Sequence, residues 1–167
     1  SSQQWVLDYA KVINRGFASI RAEAKERLDA LDALSPTDML RKKPFLEAVI
    51  ITCDAIVTWA RRHAVLAREK AAREQNPDRV RELLQIAEHC ERVPEFPART
   101  FHEAIQAQWF AQAFSRLEQR TGTIISNGRM DQYLYPLFRK DKEEGRLSDE
   151  QALELFDCLW LNMAQFT

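Results

Sequence analysis

The stretch ISNGRMDQYLYP, residues 125–136, holds the residues whose types and order are best suited to a binding site. Two isoleucines lead into Ser126, Asn127 and Gly128, a pattern that is typical of a short strand ending in a turn. A small hydroxyl and a glycine at a strand end can present a polar group and bare backbone at a cavity wall. A plain turn is the alternative, and the residues alone leave both interpretations open.

The cysteines and histidines do not form a recognisable catalytic or metal-binding pattern. Cys53, Cys90 and Cys158 fall far apart, each within an apparent helical pattern. The sequence contains no CxxC and no HExxH, and its three histidines share no ligand-like spacing with the cysteines. We therefore expect no metal site here, and interpret the cysteines as small thiols packed in helices in a reducing compartment.

The other polar candidates have structural explanations. His102 lies in the first turn of a predicted helix, where it is expected to make a surface or linker contact. Asp131 at a helix start can accept bonds from unpaired backbone N–H groups. Tyr133 and Tyr135 are expected to pack beside a proline. Three glutamines of one helix are predicted to lie on its surface or to bond between helices: Gln106, Gln108 and Gln112.

Composition limits the class of protein. The chain has 167 residues, of which 46% are hydrophobic and 29% charged, as in a folded globular domain. A formal net charge of −1 without a dense Lys/Arg tract argues against nucleic acid as a partner. The most apolar window, AVIITCDAIVTWA, contains Asp54 and is too short to span a bilayer, and no signal-peptide pattern begins the chain. We expect a cytoplasmic protein that does not bind membranes.

Hydrophobic periodicity predicts a mainly helical chain. Apolar residues recur at three- and four-residue steps over residues 8–34, which predicts an amphipathic helix with a bend or break at Gly16. A turn at residues 35–37 is expected to end it, and a long helix is predicted from Pro44 to about Arg73. The predicted apolar stripe of that helix consists of Phe45, Val49, Ile56, Trp59 and Leu66, widened by Ile50 and Val57.

Helix-start signals divide the rest of the chain. Asn76 followed by proline opens a helix that runs to Cys90, and two prolines make residues 93–99 an extended, ordered link. Gly145 is expected to close a later helix.

Two capping boxes are predicted, Thr100 with Glu103 and Ser148 with Gln151. The total is about six helices and one short strand, TGTIIS, at residues 121–126. A single strand cannot satisfy its own backbone groups, so it requires a partner that the chain does not obviously contain.

Three long motifs carry a family resemblance: AVIITCDAIVTWARRHAVLA from Ala48, PARTFHEAIQAQWF from Pro97 and SNGRMDQYLYPLFRKDKEEGRLSDEQALELFDCLW from Ser126. They resemble an internal part of a glycyl radical enzyme of the pyruvate formate-lyase-like family, over nearly the whole chain. The resemblance implies a parent with a ten-stranded α/β barrel wrapped in helices. Residues 1–167 would be an internal segment of that barrel domain, with one barrel strand near 121–126.

The resemblance also implies radical chemistry in the parent. Its members carry a cysteine that becomes a thiyl radical and a glycyl radical installed by an iron–sulfur activating enzyme that uses S-adenosylmethionine. Neither family loop occurs in this sequence, so Cys53, Cys90 and Cys158 do not inherit the catalytic role. We expect no catalytic residue, metal or bound cofactor in this chain, which alone would be inactive. The implied parent is a homodimer whose partners are its activating enzyme and a small-molecule substrate.

The DQYLYP pattern resembles the dehydratase and C–heteroatom lyase branches of the family. There the residue four before the Asp8-Tyr9 pair faces the substrate, and here it is Gln4. A neutral amide can donate to an anion and accept from a hydroxyl, as a hydroxyalkyl sulfonate requires. The implied reaction is cleavage of isethionate to acetaldehyde and sulfite, with Gln4, Ser126 and Asn127 as substrate contacts.

Other interpretations stay open at this point. A choline trimethylamine-lyase or a diol dehydratase parent is the alternative within the family. A non-catalytic helical interaction module is the alternative outside it, and the sequence does not say whether the enzyme is enclosed in a bacterial microcompartment.

Overall fold

A computed structural model describes residues 4–33, 36–118 and 124–165. Within these ranges the chain forms seven α-helices, one short 3-10 helix and two short strands, which confirms the predicted mainly helical class. The elements are β1 (Gln4–Val6), α1 (Tyr9–Asp29), a 3-10 helix (Ala30–Ala33), α2 (Pro36–Ala71), α3 (Pro77–Arg92), α4 (Phe101–Glu118), β2 (Ile124–Ser126), α5 (Met130–Tyr133), α6 (Tyr135–Glu143) and α7 (Asp149–Ala164).

Helix α1 is interrupted at Gly16, as its sequence predicts. Gly16 adopts φ 68° and ψ 162°, a conformation that is essentially restricted to glycine. The link between α3 and α4 crosses α1 at this break. Phe17 N donates to the carbonyl of Pro94 at 2.9 Å and Ala18 N to that of Glu95 at 2.9 Å. The link therefore satisfies backbone donors that the interrupted helix leaves without an intrahelical acceptor.

The link passes so close to α1 that a side chain at residue 16 has no room. A Cβ on Gly16 would lie 2.3 Å from the carbonyl oxygen of Glu95 and 2.6 Å from the carbonyl carbon of Phe96. On the other side of the crossing, Ala98 N donates to Ile13 O at 2.9 Å. The link is ordered as predicted and hydrogen-bonded to α1 on both sides of the break, but it is not extended throughout, because residues 93–96 form a turn in which Phe96 N donates to Arg92 O at 2.9 Å.

Helix α2 begins earlier than predicted. It starts at Pro36, so Pro44 lies inside the helix instead of in its first turn. Pro36 occupies the first helical position, where the missing N–H costs nothing. Pro44 is tolerated although it removes one intrahelical hydrogen bond. The predicted start was wrong because Pro36 and Pro44 can both begin a helix, and the sequence does not distinguish between them.

Most of the large residues predicted for the stripe of α2 pack against its neighbours, Val49 and Ile50 included, but Phe45 and Leu66 do not, and small residues complete the buried stripe. Phe45 and Leu66 are 67% and 48% exposed. Ile56, Val57 and Trp59 do pack in the cluster between α2 and its neighbours. The buried stripe includes Cys53, Ile56, Val57, Ala60, Ala64 and Ala67. Alanines allow the close approach of α3. Their part in the stripe cannot be predicted from the spacing of large apolar side chains.

The main core surrounds α4. Its buried residues include Phe101, Ala104, Ile105, Ala107 and Ala111, which pack with residues of α1 and α7. Phe101 contacts Phe138 and Phe156 edge-on, both at 5.6 Å between ring centroids. Helix α4 is therefore the central element of this segment, with α1, α6 and α7 around it.

Buried carboxylates fix the start of α4. Thr100 caps it through a bond from Glu103 N at 3.2 Å, but the Glu103 carboxylate accepts from Arg99 N at 2.7 Å instead of closing the predicted box on Thr100. Asp141 of α6, 3% exposed, accepts from Phe101 N at 2.7 Å. Two carboxylates therefore lie at the positive end of the helix dipole.

The later helix boundaries agree with the sequence. The predicted box of Ser148 and Gln151 closes in both directions. Gly145, with φ 70°, follows α6, and Arg146 N donates to Asp141 O at 2.8 Å in the bonding pattern of a Schellman motif.

Strand β2 has a partner within the chain, contrary to our expectation. It pairs in parallel with β1, with Gln4 opposite Ile124, Trp5 opposite Ile125 and Val6 opposite Ser126. Residues 121–123 of the predicted strand lie outside the described residues. The partner was missed because three residues are too few to show a period-2 pattern.

His102 and His89 form a contact between α4 and α3 that the sequence did not predict. Their rings meet edge to face with centroids 4.3 Å apart, and His89 is 9% exposed. Burial, with His89 beside it, lowers the pKa of His102 to about 4, although Glu103 opposes this. Burial also lowers the pKa of His89, aided by Arg99 and opposed by Glu103 and Glu88.

Replacing Gly16 by alanine should strongly destabilise the chain. Gly16→Ala adds a Cβ in a forbidden conformation and against backbone, so we expect a loss of roughly 4 kcal/mol in the free energy of unfolding. Gly145→Ala is the matched control, because a Cβ there meets nothing within 4 Å and only the φ of +70° is unfavourable. Its loss should be about 1 kcal/mol. Equal losses in urea unfolding of the two variants would contradict the described crossing.

The histidine pair predicts sensitivity to acid. Both imidazoles have lowered pKa values in the folded state. The unfolded state therefore binds more protons below about pH 6.5, and stability is lost as the pH falls from there toward 4. His102→Gln should reduce the slope of unfolding free energy against pH by roughly 1 kcal/mol per pH unit between pH 6 and 4.5. An unchanged slope in His102→Gln would refute this account.

Candidate functional site at the strand ends

The parallel pair β1–β2 brings two of the predicted contacts close in register. Gln4 is opposite Ile124, and Ser126 is opposite Val6, so the two positions lie on adjacent strands offset by two residues. Strand geometry then gives a backbone separation of roughly 8 Å. Successive residues of a strand point to opposite faces of the sheet, and Ile125 is buried. Ser126 therefore belongs to the face opposite that of Ile125.

The residues after Ser126 pass close to β1. Gly128 has φ 63°, and a Cβ there would lie 2.8 Å from Cγ1 of Val6. Val6 itself is 59% exposed. Residues 127–129 are irregular backbone between β2 and α5, and the role of this stretch as a cavity wall stays a prediction.

Asn127 is held by three elements of the helical layer. Its backbone carbonyl accepts a bond from the Tyr133 hydroxyl at 2.8 Å. Its side-chain oxygen lies 3.5 Å from Nε2 of Gln108 on α4, and its Nδ2 lies 3.6 Å from the sulfur of Met163 on α7. The side chain of Asn127 is therefore engaged with α4 and α7, and its predicted contact with substrate remains untested.

Two tyrosines connect the ends of the strands. Tyr9, which begins α1 directly after β1, is 1% exposed, and its ring stacks on that of Tyr133 with centroids 5.6 Å apart and an interplanar angle of 28°. Burial raises the pKa of both hydroxyls. Tyr9 is oriented by the helix start, where Asp8 accepts from Lys11 N at 3.0 Å. Both phenols are therefore protonated at neutral pH, and the Tyr133 hydroxyl is the one that donates a hydrogen bond, to Asn127.

Sequence reasoning underestimated Tyr133 and Gln108. Tyr133 was expected only to pack, and the hydroxyl bond to Asn127 could not be inferred without the fold. Gln108 is 0% exposed, so the predicted surface setting is wrong for it, and its amide approaches Asn127, after β2, instead of another helix. The signal was its position on the apolar side of α4, four residues before Gln112, which is also buried.

The neighbouring charged pair is an exposed structural contact. Arg129 donates two bonds to Asp131, at 3.0 Å and 2.8 Å, and both side chains are exposed. The bond from Arg129 lowers the pKa of Asp131. Such an exposed pair contributes little to stability, and the lowered pKa keeps the Asp131 carboxylate ionised at neutral pH.

The three cysteines all lie within helices, and two of them are buried. Cys53 and Cys90 are buried, and burial raises the pKa of Cys90 to about 12. Cys158 is exposed on α7. Among residues 4–33, 36–118 and 124–165, no three His, Cys, Asp or Glu side chains are grouped as metal ligands. Of the helices described, none is long and apolar enough to cross a membrane.

A surface depression lies away from the two strands in sequence. It is an open groove along α2 and α3, lined by charged residues such as Arg68, Arg81 and Glu82. Arg68, which lines the groove, forms an ion pair with Glu91 at 2.8 Å. Such a shallow, solvated groove lacks the enclosed apolar lining that is typical of small-molecule sites.

Comparison with known proteins gives a consistent assignment. The family model described as pyruvate formate lyase-like matches residues 2–167. Isethionate sulfite-lyase from Nitratidesulfovibrio vulgaris is 61% identical over 99% of this chain and 20% of its own length. Trans-4-hydroxy-L-proline dehydratase from Clostridioides difficile is 37% identical over 90% of this chain and 19% of its length.

A solved structure agrees in fold. The crystal structure of a glycyl radical enzyme from Archaeoglobus fulgidus superimposes with a TM-score of 0.89 at 35% identity, covering 98% of this chain and 21% of that one. The chain thus spans about a fifth of the length of the relatives it matches. The match confirms the resemblance carried by the three sequence motifs, and this chain belongs to the pyruvate formate lyase-like family.

Proposed function

We propose that this chain is part of an anaerobic glycyl radical lyase that cleaves the C–S bond of isethionate to give acetaldehyde and sulfite. The observation that carries the proposal is the 61% identity to an isethionate sulfite-lyase over nearly the whole chain. Identity to the hydroxyproline dehydratase is 37%, although the fold is shared. The higher identity to the sulfite-lyase than to the dehydratase favours the sulfonate-cleaving branch of the family.

The reaction balances without an external oxidant or reductant. Isethionate, HOCH2CH2SO3⁻, contains the atoms of acetaldehyde plus hydrogen sulfite. A glycyl radical, made by an activating enzyme with S-adenosylmethionine and an iron–sulfur cluster, would supply hydrogen-atom abstraction through a cysteine thiyl radical. The described cysteines do not fit that role, because Cys53 and Cys90 are buried within helices. In this proposal, residues outside this chain hold the radical groups.

Residues of this chain would bind and orient the substrate. Gln4 carries an amide that can donate to the sulfonate and accept from the hydroxyl, and Ser126 offers a hydroxyl that can do the same. Their adjacent strands and two-residue offset support a shared role. Asn127 is proposed as a third and weaker contact. Orienting the reacting carbons in this way is the contribution that binding residues make to rate.

The barrel assignment is also a proposal. Parallel pairing of β1 and β2, with helices in between, supports their being adjacent strands of the family's ten-stranded α/β barrel. Large apolar side chains on α7 are exposed, among them Leu153 at 62%, Trp160 at 50% and Leu161 at 65%. A surface of this kind is typical of a segment that other parts of a larger domain cover. The proposed parent is a cytoplasmic homodimer.

The proposed substrate can be tested on the full-length protein. After anaerobic treatment with its activating enzyme and S-adenosylmethionine, it should release sulfite and acetaldehyde in equal amounts from isethionate. Ser126→Ala should lower kcat/KM for isethionate roughly tenfold, because a hydrogen bond to substrate contributes about 1 kcal/mol or slightly more. Turnover of choline or 1,2-propanediol without sulfite release from isethionate would refute the substrate.

Thr58→Ala is the matched control for that variant. It also deletes a hydroxyl, but Thr58 lies exposed on α2 and bonds to the Asp54 carbonyl of its own helix at 2.8 Å. Its kcat/KM should equal that of the wild type. A loss in Thr58→Ala as large as in Ser126→Ala would show that the effect is not specific to the strand ends.

A further inference from the structure

We propose that Tyr133 is a positioning residue for the substrate site, acting through the end of β2 on Ser126. The inference rests on the proposed function of Ser126 as a substrate contact. Tyr133 lies in the DQYLYP motif, and the hydroxyl donates to the carbonyl of Asn127, the residue directly after Ser126, at 2.8 Å.

The Asn127 carbonyl lies where the strand no longer supplies a partner. The β1–β2 ladder ends at Ser126 opposite Val6. Gly128, with its φ of 63°, has left the strand conformation. A backbone carbonyl at such an exit needs a donor from another element, since an unpaired buried group is costly. Tyr133 supplies that donor from six residues further along the chain.

The tyrosine is itself held in a fixed orientation. Its ring stacks on Tyr9, which is almost fully buried. Tyr9 N donates to Leu7 O at 2.9 Å, directly after the end of β1. The stack thus ties the end of β1 to Tyr133, and the hydroxyl bond ties Tyr133 to the end of β2. One side chain therefore connects the strand that carries Gln4 with the strand that carries Ser126.

The other contacts of Asn127 cannot replace this bond. Gln108 at 3.5 Å and Met163 at 3.6 Å approach its side chain at distances where hydrogen bonds are weak. They orient the amide and not the backbone. The bond from Tyr133 is short and acts on the peptide unit that follows Ser126, so its loss should let the serine hydroxyl move relative to the substrate.

Removing one oxygen atom tests the inference. Tyr133→Phe, in the activated full-length protein, keeps the stack on Tyr9 but deletes the donor. We expect KM for isethionate to rise roughly tenfold with kcat within about twofold of wild type, since binding in the ground and transition states is affected alike. The glycyl radical signal in electron paramagnetic resonance should be unchanged. Tyr135→Phe is the matched control from the same motif, 55% exposed beside Phe138, and should match the wild type.

A double-mutant cycle separates positioning from general stability. If Tyr133 acts through Ser126, Tyr133→Phe should add less than about twofold in a Ser126→Ala background, because the group it positions is gone. Multiplicative effects of the two substitutions would overturn the inference. An unchanged KM in Tyr133→Phe, with only a lower melting temperature, would also overturn the inference.

The identity of the substrate is tested separately from the positioning role of Tyr133. If the wild type releases no sulfite, isethionate is the wrong substrate. The same four proteins would then be compared with whichever of choline or 1,2-propanediol the wild type turns over. The non-additivity of Tyr133 and Ser126 in that cycle decides the positioning role independently.

Discussion

The close crossing at Gly16 is the constraint on which the rest of this structure depends. Because residue 16 has no side chain, the link from α3 to α4 can pass against the backbone of α1 and bond to it on both sides of the break. The crossing sets where α4 begins and how α1 lies against it. Helix α1 carries Tyr9, and α4 carries Gln108, so the arrangement at the strand ends follows from a contact remote from them in sequence.

The same crossing explains why the interior of this segment contains polar groups. The start of α4 lies inside the fold, where its N–H groups must find acceptors. Asp141 and the Thr100 hydroxyl supply these acceptors, and Glu103, 1% exposed, is satisfied by Arg99. At the strand ends, Tyr133 does the same for a carbonyl. Asp141, Thr100 and Tyr133 thus each bond to a backbone group that close packing removes from water.

The sequence predicts local features of this fold better than its long-range ones. The break at Gly16, the start at Asn76 and the Ser148 cap are encoded within a few residues and are confirmed. The start of α2 was predicted wrongly because two prolines give equivalent start signals. The pairing of β2 with β1 was missed because it joins segments that are distant in sequence. The residues proposed for the site were found by family resemblance. Tyr133 required the fold, because a hydroxyl bond to a backbone carbonyl has no sequence signature.

The central claim is that Gln4 at the start of β1 and Ser126 at the end of β2, on neighbouring strands, bind a hydroxyalkyl sulfonate in a larger radical enzyme. A crystal structure of the full-length protein soaked with isethionate under anaerobic conditions tests it most directly. The account predicts the sulfonate or hydroxyl oxygen within hydrogen-bonding distance of Gln4 and Ser126, with β1 and β2 still paired and Tyr133 bonded to Asn127. Isethionate bound without contact to either strand end would contradict it.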